Sequence, residues 1–124
     1  MPAKSLHLRN AVLSAVFHGV PLAPAGPWLA LHTADPGLTG AAEVTGGSYA
    51  RQLASFGPVA NGAVVNAEDV DFAGMPAGTL THVGVWDALA EGNLLYTAEM
   101  AVSKRTNEGD TFRLLAGDLD ITES

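Results

Sequence analysis

The sequence predicts an all-β domain of sandwich or jelly-roll type, preceded by one N-terminal α-helix and a proline-rich arm. Three observations carry this. From Trp28 onward, short apolar runs with period-two alternation recur. Turn signals built from Gly, Pro, Asn and Asp separate these runs every 8 to 12 residues, the spacing of a two-sheet all-β fold. No helical periodicity alternates with the strands, which argues against a doubly wound α/β fold.

The elements read in order as follows. Ser5 is placed to cap a helix over residues 5–18, in which Leu6, Leu13, Val16 and Phe17 recur at helical spacing until Gly19 and Pro21 stop it. This apolar stripe is expected to lie on the body of the domain or on a neighbouring subunit. Lys4 and Arg9 ahead of an apolar run resemble a signal peptide, but His18, Gly19 and Pro21 interrupt the run, so it reads as a retained helix. Residues 20–27 hold three prolines and form a stiff, extended connector. The chain thus divides into a helix and arm over residues 1–27 and a β-sandwich domain over residues 28–124.

Strands are expected over residues 28–33, 48–56, 59–65, 67–72, 80–87, 93–102, 110–115 and 119–122. The run Leu80-Thr-His-Val-Gly-Val-Trp86 puts Leu80, His82, Gly84 and Trp86 on one face and Thr81, Val83 and Val85 on the other. Both faces are partly apolar, which suits a central strand. Near the C-terminus Asp110, Arg113, Asp118 and Asp120 alternate with Phe112, Leu114, Leu119 and Ile121. One solvated face and an acidic edge are implied there.

Bulk properties narrow the function. At 124 residues the chain has length for one domain with its own core. A net charge of −7, with six Lys and Arg, leaves no basic footprint for nucleic acid or anionic lipid. Cysteine is absent, which excludes disulfides and thiolate metal sites. No run approaches the roughly 18 apolar residues of a membrane span.

Motifs for chemistry are lacking. His7, His18, His32 and His82, with Asp35 and Asp87, show no metal-binding spacing, and a histidine on a strand is more often a hydrogen-bonded structural residue. Ser48 follows Gly46-Gly47 but lacks the second glycine of a nucleophile elbow. Glu43, Glu68, Asp69 and Asp71 are the carboxylates available to a glycosidase-like pair, yet acids at turns and strand ends are usually solvated. Neither phosphate-binding glycine pattern occurs. We therefore expect no enzyme activity, no catalytic residue, no metal and no cofactor.

The most informative segment is WLALHTADPGLTGAAEVTGGSYARQLASF, residues 28–56. It sets a long small-residue loop between two strands, and ordered loops of that length tend to be functional or interface-forming. Tyr49 and Arg51 follow the loop on one strand face, as an interface anchor or as a pin in which Arg51 pairs with Glu43 or Asp35. Asp35, Leu38, Glu43, Tyr49 and Arg51 are the candidate interface residues.

Leu31-His-Thr-Ala-Asp-Pro-Gly37, Glu43-Val-Thr-Gly-Gly-Ser-Tyr-Ala-Arg-Gln52, Thr81-His-Val-Gly-Val-Trp-Asp-Ala88 and Gly92-Asn-Leu-Leu95 resemble small structural proteins of tailed bacteriophages. These are commonly labelled tail fibre or minor tail proteins, and are similar to head decoration or cement proteins. The resemblance covers roughly residues 28–96 and implies a virion component made in the bacterial host cytoplasm. With no shaft repeat or coiled-coil heptad in the chain, the expectation is a cement protein bridging major capsid subunits, trimeric, with a tail component (minor tail, fibre base or baseplate) as the alternative. A carbohydrate-binding receptor module using Trp28, Tyr49, Trp86 or Tyr96 is the expectation from a different class.

Overall fold

The computed structural model describes residues 3–122. A short strand β1 (Ala3–Lys4) leads into helix α1 (Leu6–His18), and eight strands follow: β2 (Trp28–His32), β3 (Gln52–Leu53), β4 (Ala63–Val65), β5 (Val70–Met75), β6 (Gly78–Trp86), β7 (Leu94–Thr106), β8 (Asp110–Leu114) and β9 (Asp120–Thr122). The fold is mostly β, all its strand pairs are antiparallel, and α1 is the only helix among the described residues.

Five strands form the main sheet in the order β1-β7-β6-β2-β3, while β4-β9 and β5-β8 form two ribbons. Alternation along β2 explains the layering. Leu29 and Leu31 point into the large core with Val83, Val85 and Leu95, against Phe72, Met75, Phe112, Leu114 and Ile121 from the ribbons. Ala30 points to the opposite face, where it packs with Trp86, Leu94 and Trp28. The main sheet is therefore buried on both sides at β2 and β6, as expected for a central β6. The acidic C-terminal pattern also holds: Phe112, Leu114, Leu119 and Ile121 are buried, and Asp110, Arg113, Asp118 and Asp120 are exposed.

The helix starts as the sequence implied. Ser5 is fully buried and its hydroxyl accepts from the Leu8 N–H at 3.0 Å, satisfying one of the open donors of the first turn. Gly19 closes the helix in the left-handed region, with φ +66°. The stripe behaves differently. Leu8 is the buried helical residue and Val12 packs on the core, but Leu13, Val16 and Phe17 are 56%, 68% and 73% exposed. In this chain they do not lie on the body of the domain.

Several strand expectations need correction. The strand over residues 48–56 shrinks to β3, because Ser48 and Tyr49 turn instead: the Ser48 N–H goes to the Gly74 carbonyl and the Tyr49 N–H to the Gly46 carbonyl. Tyr49 and Arg51 therefore do not share a strand face. The strand over residues 59–65 is reduced to β4 by a tight turn at Asn61-Gly62, both with positive φ, across which Ala60 and Ala63 exchange two backbone hydrogen bonds of 3.0 Å. The strand over residues 67–72 moves to β5, and β7 runs four residues beyond the expected end at Val102. Gly74, Met75 and Gly78, outside the strands expected over residues 67–72 and 80–87, lie in β5 and β6.

Leu80 changes face as well. Going from His82 to Leu80 on β6, the pairing on β7 runs from Glu99 to Lys104, so β7 carries extra residues there. At this irregularity Leu80 packs in the large core with Val83 and Val85, and not with Trp86.

Candidate functional site

The long loop is held down along its whole length. Asp35 Oδ1 accepts from the Gly37 N–H at 2.9 Å, closing the Asp-Pro-Gly turn. The buried Pro36 offers its carbonyl to the N–H groups of Gly40 and Ala41 at 3.0 and 2.8 Å. Residues 42–44 then run antiparallel to β2. The Thr33 N–H donates to the Ala42 carbonyl, the Val44 N–H donates to the Leu31 carbonyl, and Glu43 lies opposite His32.

This course delivers the Glu43 carboxylate to Arg51. Arg51 Nε donates to Glu43 Oε2 at 2.9 Å and Nη2 to Oε1 at 2.8 Å, the two-pronged geometry that fits guanidinium to carboxylate. Nη1 donates to the carbonyls of Ala88 and Glu91 at 2.9 and 2.8 Å, and the Tyr49 hydroxyl donates to Glu43 Oε2 at 2.8 Å. The same hydroxyl accepts from the Leu31 N–H at 3.1 Å. Arg51 thus ties the long loop to the turn between β6 and β7, and it is 7% exposed.

Burial pushes the Glu43 carboxyl upward, but the Arg51 and Tyr49 hydrogen bonds outweigh it and hold the group below its usual range. Burial also drives the Tyr49 hydroxyl well above its ordinary value, aided by the Glu43 charge, so Tyr49 stays protonated as the donor.

Trp86 is the floor of the cluster. The Arg51 guanidinium lies over its ring, and the His32 ring is nearly parallel to it, with ring planes 5° apart and centroids 6.3 Å apart. His32 is completely buried. Its Nδ1 is 2.9 Å from the Ala41 carbonyl, which only accepts, so the proton sits on Nδ1 and Nε2 faces the Trp86 N–H at 3.5 Å. Desolvation lowers the imidazole pKa, with the Ala41 carbonyl and Glu43 acting against it.

Two glycines make room. A Cβ on Gly40 would fall 2.4 Å from the Trp86 ring, and one on Gly84 would fall 2.5 Å from His32 Nε2.

Of the five expected interface residues, the structure gathers Glu43, Tyr49 and Arg51 into one network and leaves Asp35 and Leu38 exposed on the loop. Arg51 takes Glu43 as its partner, not Asp35. Leu38 also anchors the helix start, since its carbonyl accepts from the Leu6 N–H at 3.1 Å. His32 and Trp86 belong to this network although sequence reasoning assigned them no role in the loop. The signal was present in the alternation of β2 and β6, which places His32 opposite His82 and two and four residues from Ala30 and Trp28, the register partners of Gly84 and Trp86.

The remaining candidates have separate partners. His82 lies 2.8 Å from the Thr81 hydroxyl and 3.9 Å from Glu99. Asp71 forms a two-pronged pair with Arg113 at 2.7 and 2.9 Å, and Asp69 accepts from the Ala116 N–H. Among the described residues no three His, Asp or Glu come together to hold a metal, and no helix is long and apolar enough to cross a membrane. Of the four rings considered for sugar stacking, Trp86 is buried and Trp28, Tyr49 and Tyr96 are half-buried.

Sequence reasoning passed over Asn66. It is 1% exposed and joins three segments: its amide donates to the carbonyls of Glu68 and Leu115, and its carbonyl accepts from the Leu119 N–H. Among the described residues, every buried side-chain nitrogen and oxygen has a hydrogen-bond partner.

A sequence model of the family described as podophage GP4 fiber I protein gp80 matches residues 3–122. The chain belongs to that phage tail-fibre family. The match extends the resemblance of residues 28–96 over the helix, the arm and the closing strands. Membership makes the chain a phage structural protein associated with the tail fibre and the virion. Among curated proteins no sequence matches it.

Proposed function

We propose that this chain is a non-enzymatic attachment unit of a podophage tail fibre, working by shape and adhesion to other virion proteins. The family match over residues 3–122 carries this reading. The physical reasoning supports it from a second side. The Glu43–Arg51–Tyr49 network is closed on itself, with each polar group engaged, so its role is to hold the loop rigid. A rigid loop loses little conformational freedom when a partner docks on it, and that favours tight attachment.

In this reading the five interface residues divide their work. Asp35 and Leu38 on the exposed turn meet the partner, while Glu43, Tyr49 and Arg51 set the shape from beneath. The capsid-cement expectation rests on compactness and the missing shaft repeat alone, and the family match favours the tail alternative over it.

Copy number in purified particles tests the assignment, together with gold-labelled antibody imaging. A few copies per particle, at the tail, are expected. Hundreds of copies spread over the head would replace this reading with the cement one. Leu38→Asp, on an exposed side chain, should leave the fold intact and reduce incorporation into particles.

A further inference from the structure

Strand β7 leaves its ladder at one place. Between the pairs His82–Glu99 and Leu80–Lys104, β6 advances two residues and β7 advances five, so residues 100–103 bow out as a bulge. Met100 keeps its contact with the large core, while Ala101, Val102 and Ser103 are exposed, Val102 to 79%. The outer edge of β7 carries β1 at Tyr96 and Thr97, and among the described residues no strand covers the bulge. Beside it a cleft of about 510 Å³ opens between β7 and the β8–β9 segment, with apolar walls from Ala98, Phe112 and Leu119 and carboxylates from Glu99, Asp118 and Asp120.

Charges of both signs flank this bulge directly. Of the six Lys and Arg, Arg51 and Arg113 are committed to Glu43 and Asp71, and Lys4 and Arg9 lie at the root of α1. Lys104 and Arg105, which follow the bulge, are exposed and form no ion pair among the described residues. Glu99, which precedes it, has a side chain 68% exposed and stands 3.9 Å from His82.

The order of these charges makes the segment complementary to itself. Positions 99 and 104 are equidistant from a point between Ala101 and Val102. Two copies laid antiparallel about an axis through that point set Glu99 of each against Lys104 of the other, and Ala101 against Val102. Arg105 then lies near the same acidic rim of Glu99, Asp118 and Asp120. A parallel alignment would set like charge on like. With a net charge of −7, two copies repel over most of their surface, so approach gains where exposed basic residues meet carboxylates. The apolar bulge and the open cleft sit side by side, so each copy offers what the other lacks.

We infer that two copies of this chain associate through residues 99–105 of β7 in a two-fold contact, each seating its Val102 bulge at the cleft of the other. The contact is isologous, so two copies close it and leave no open end. It works through side chains, because a bulged edge does not extend a backbone ladder. The contact is a property of the isolated chain and stands apart from where in the particle the protein resides.

Charge reversal tests the two-fold directly. Light scattering of the natural chain should show a concentration-dependent dimer. Glu99→Lys and Lys104→Glu, made separately, should each raise the dissociation constant roughly tenfold, since two such pairs form per contact. Mixing the two variants should restore the dimer that neither forms alone, because every Lys then faces a Glu. Val102→Asp should give a monomer, with a circular-dichroism spectrum like that of the natural chain. The chain contains no cysteine, so Val102→Cys, beside the axis, should form a disulfide dimer on oxidation at least about tenfold faster than Phe17→Cys, which is 73% exposed on α1. A natural chain that is monomeric up to its solubility limit would overturn the inference. So would a trimer, a mixture no more associated than its components, or faster cross-linking of Phe17→Cys. Virion copy number bears on the tail reading and not on this contact, so the two fail separately.

Discussion

The guanidinium carbon of Arg51 sits 3.8 Å from the centre of the Trp86 ring, in the same cluster in which that guanidinium binds the Glu43 carboxylate. The two contacts use different parts of the group, the in-plane N–H fork for the acid and the flat face for the indole. Lysine has neither. Arg51→Lys should therefore lower stability clearly, and Glu43→Ala should cost about 3 kcal/mol by leaving a buried cation without its partner. Urea unfolding of each variant measures both, and values near zero for Glu43→Ala would show that water already screens the pair.

Tyr49→Phe isolates a single oxygen. It removes the donor to Glu43 and also the acceptor for the Leu31 N–H. An inward-facing backbone donor left without an acceptor costs about 1–3 kcal/mol. Amide exchange at Leu31 should accelerate in this variant while amides in the ribbon strand β8 remain as slow as before.

Gly84→Ala tests close approach. The backbone conformation at Gly84 suits alanine, so the conflict is with His32 and the Trp86 indole nitrogen at 2.5 and 2.9 Å from the new methyl group. A loss of about 1–3 kcal/mol is expected from overpacking. Gly78→Ala, where the added carbon meets nothing within 4 Å, is the control and should change stability far less.

Acid should weaken the fold through His32. Its pKa in the fold lies below the ordinary 6.5 because burial disfavours the imidazolium. The unfolded chain therefore binds the proton first as pH falls below about 6.5, and stability decreases until the folded-state pKa is reached. Above 6.5 both states are neutral and the contribution is flat. The slope from this one group is at most about 1.4 kcal/mol per pH unit. Denaturant midpoints of the natural chain should change little between pH 7.5 and 6.5 and drop by pH 5.5, and His32→Gln should flatten the difference between 6.5 and 5.5.

Much of the fold was legible in the chain because local signals agreed with the global arrangement. Ser5 and Gly19 bracket a helix by capping chemistry alone, and β2, β6 and β8 alternate as half-buried or buried strands must. Strand bounds failed where turn chemistry was overlooked. Asn61-Gly62 is a strong hairpin signal that went unused, and the Ser48 turn depends on a hydrogen bond from the Ser48 N–H to the Gly74 carbonyl, which only the folded chain brings near. The Arg51–Glu43 partnership was within reach of sequence reasoning, since both flank one loop. Arg51 over Trp86 was not, because 35 residues and the strands β3, β4 and β5 separate them. The exposed face of α1 was also hidden, as helical spacing shows that a stripe exists and not what meets it.

The flank of β2 has one more implication. Gln52–Leu53 and residues 42–44 together occupy it, with the Tyr49 hydroxyl closing the remaining amide between them. Copies of a chain that meet at high concentration pair strand to strand along an open sheet edge. A covered flank gives them no backbone ladder to extend there, so crowding at this border does not seed fibrils.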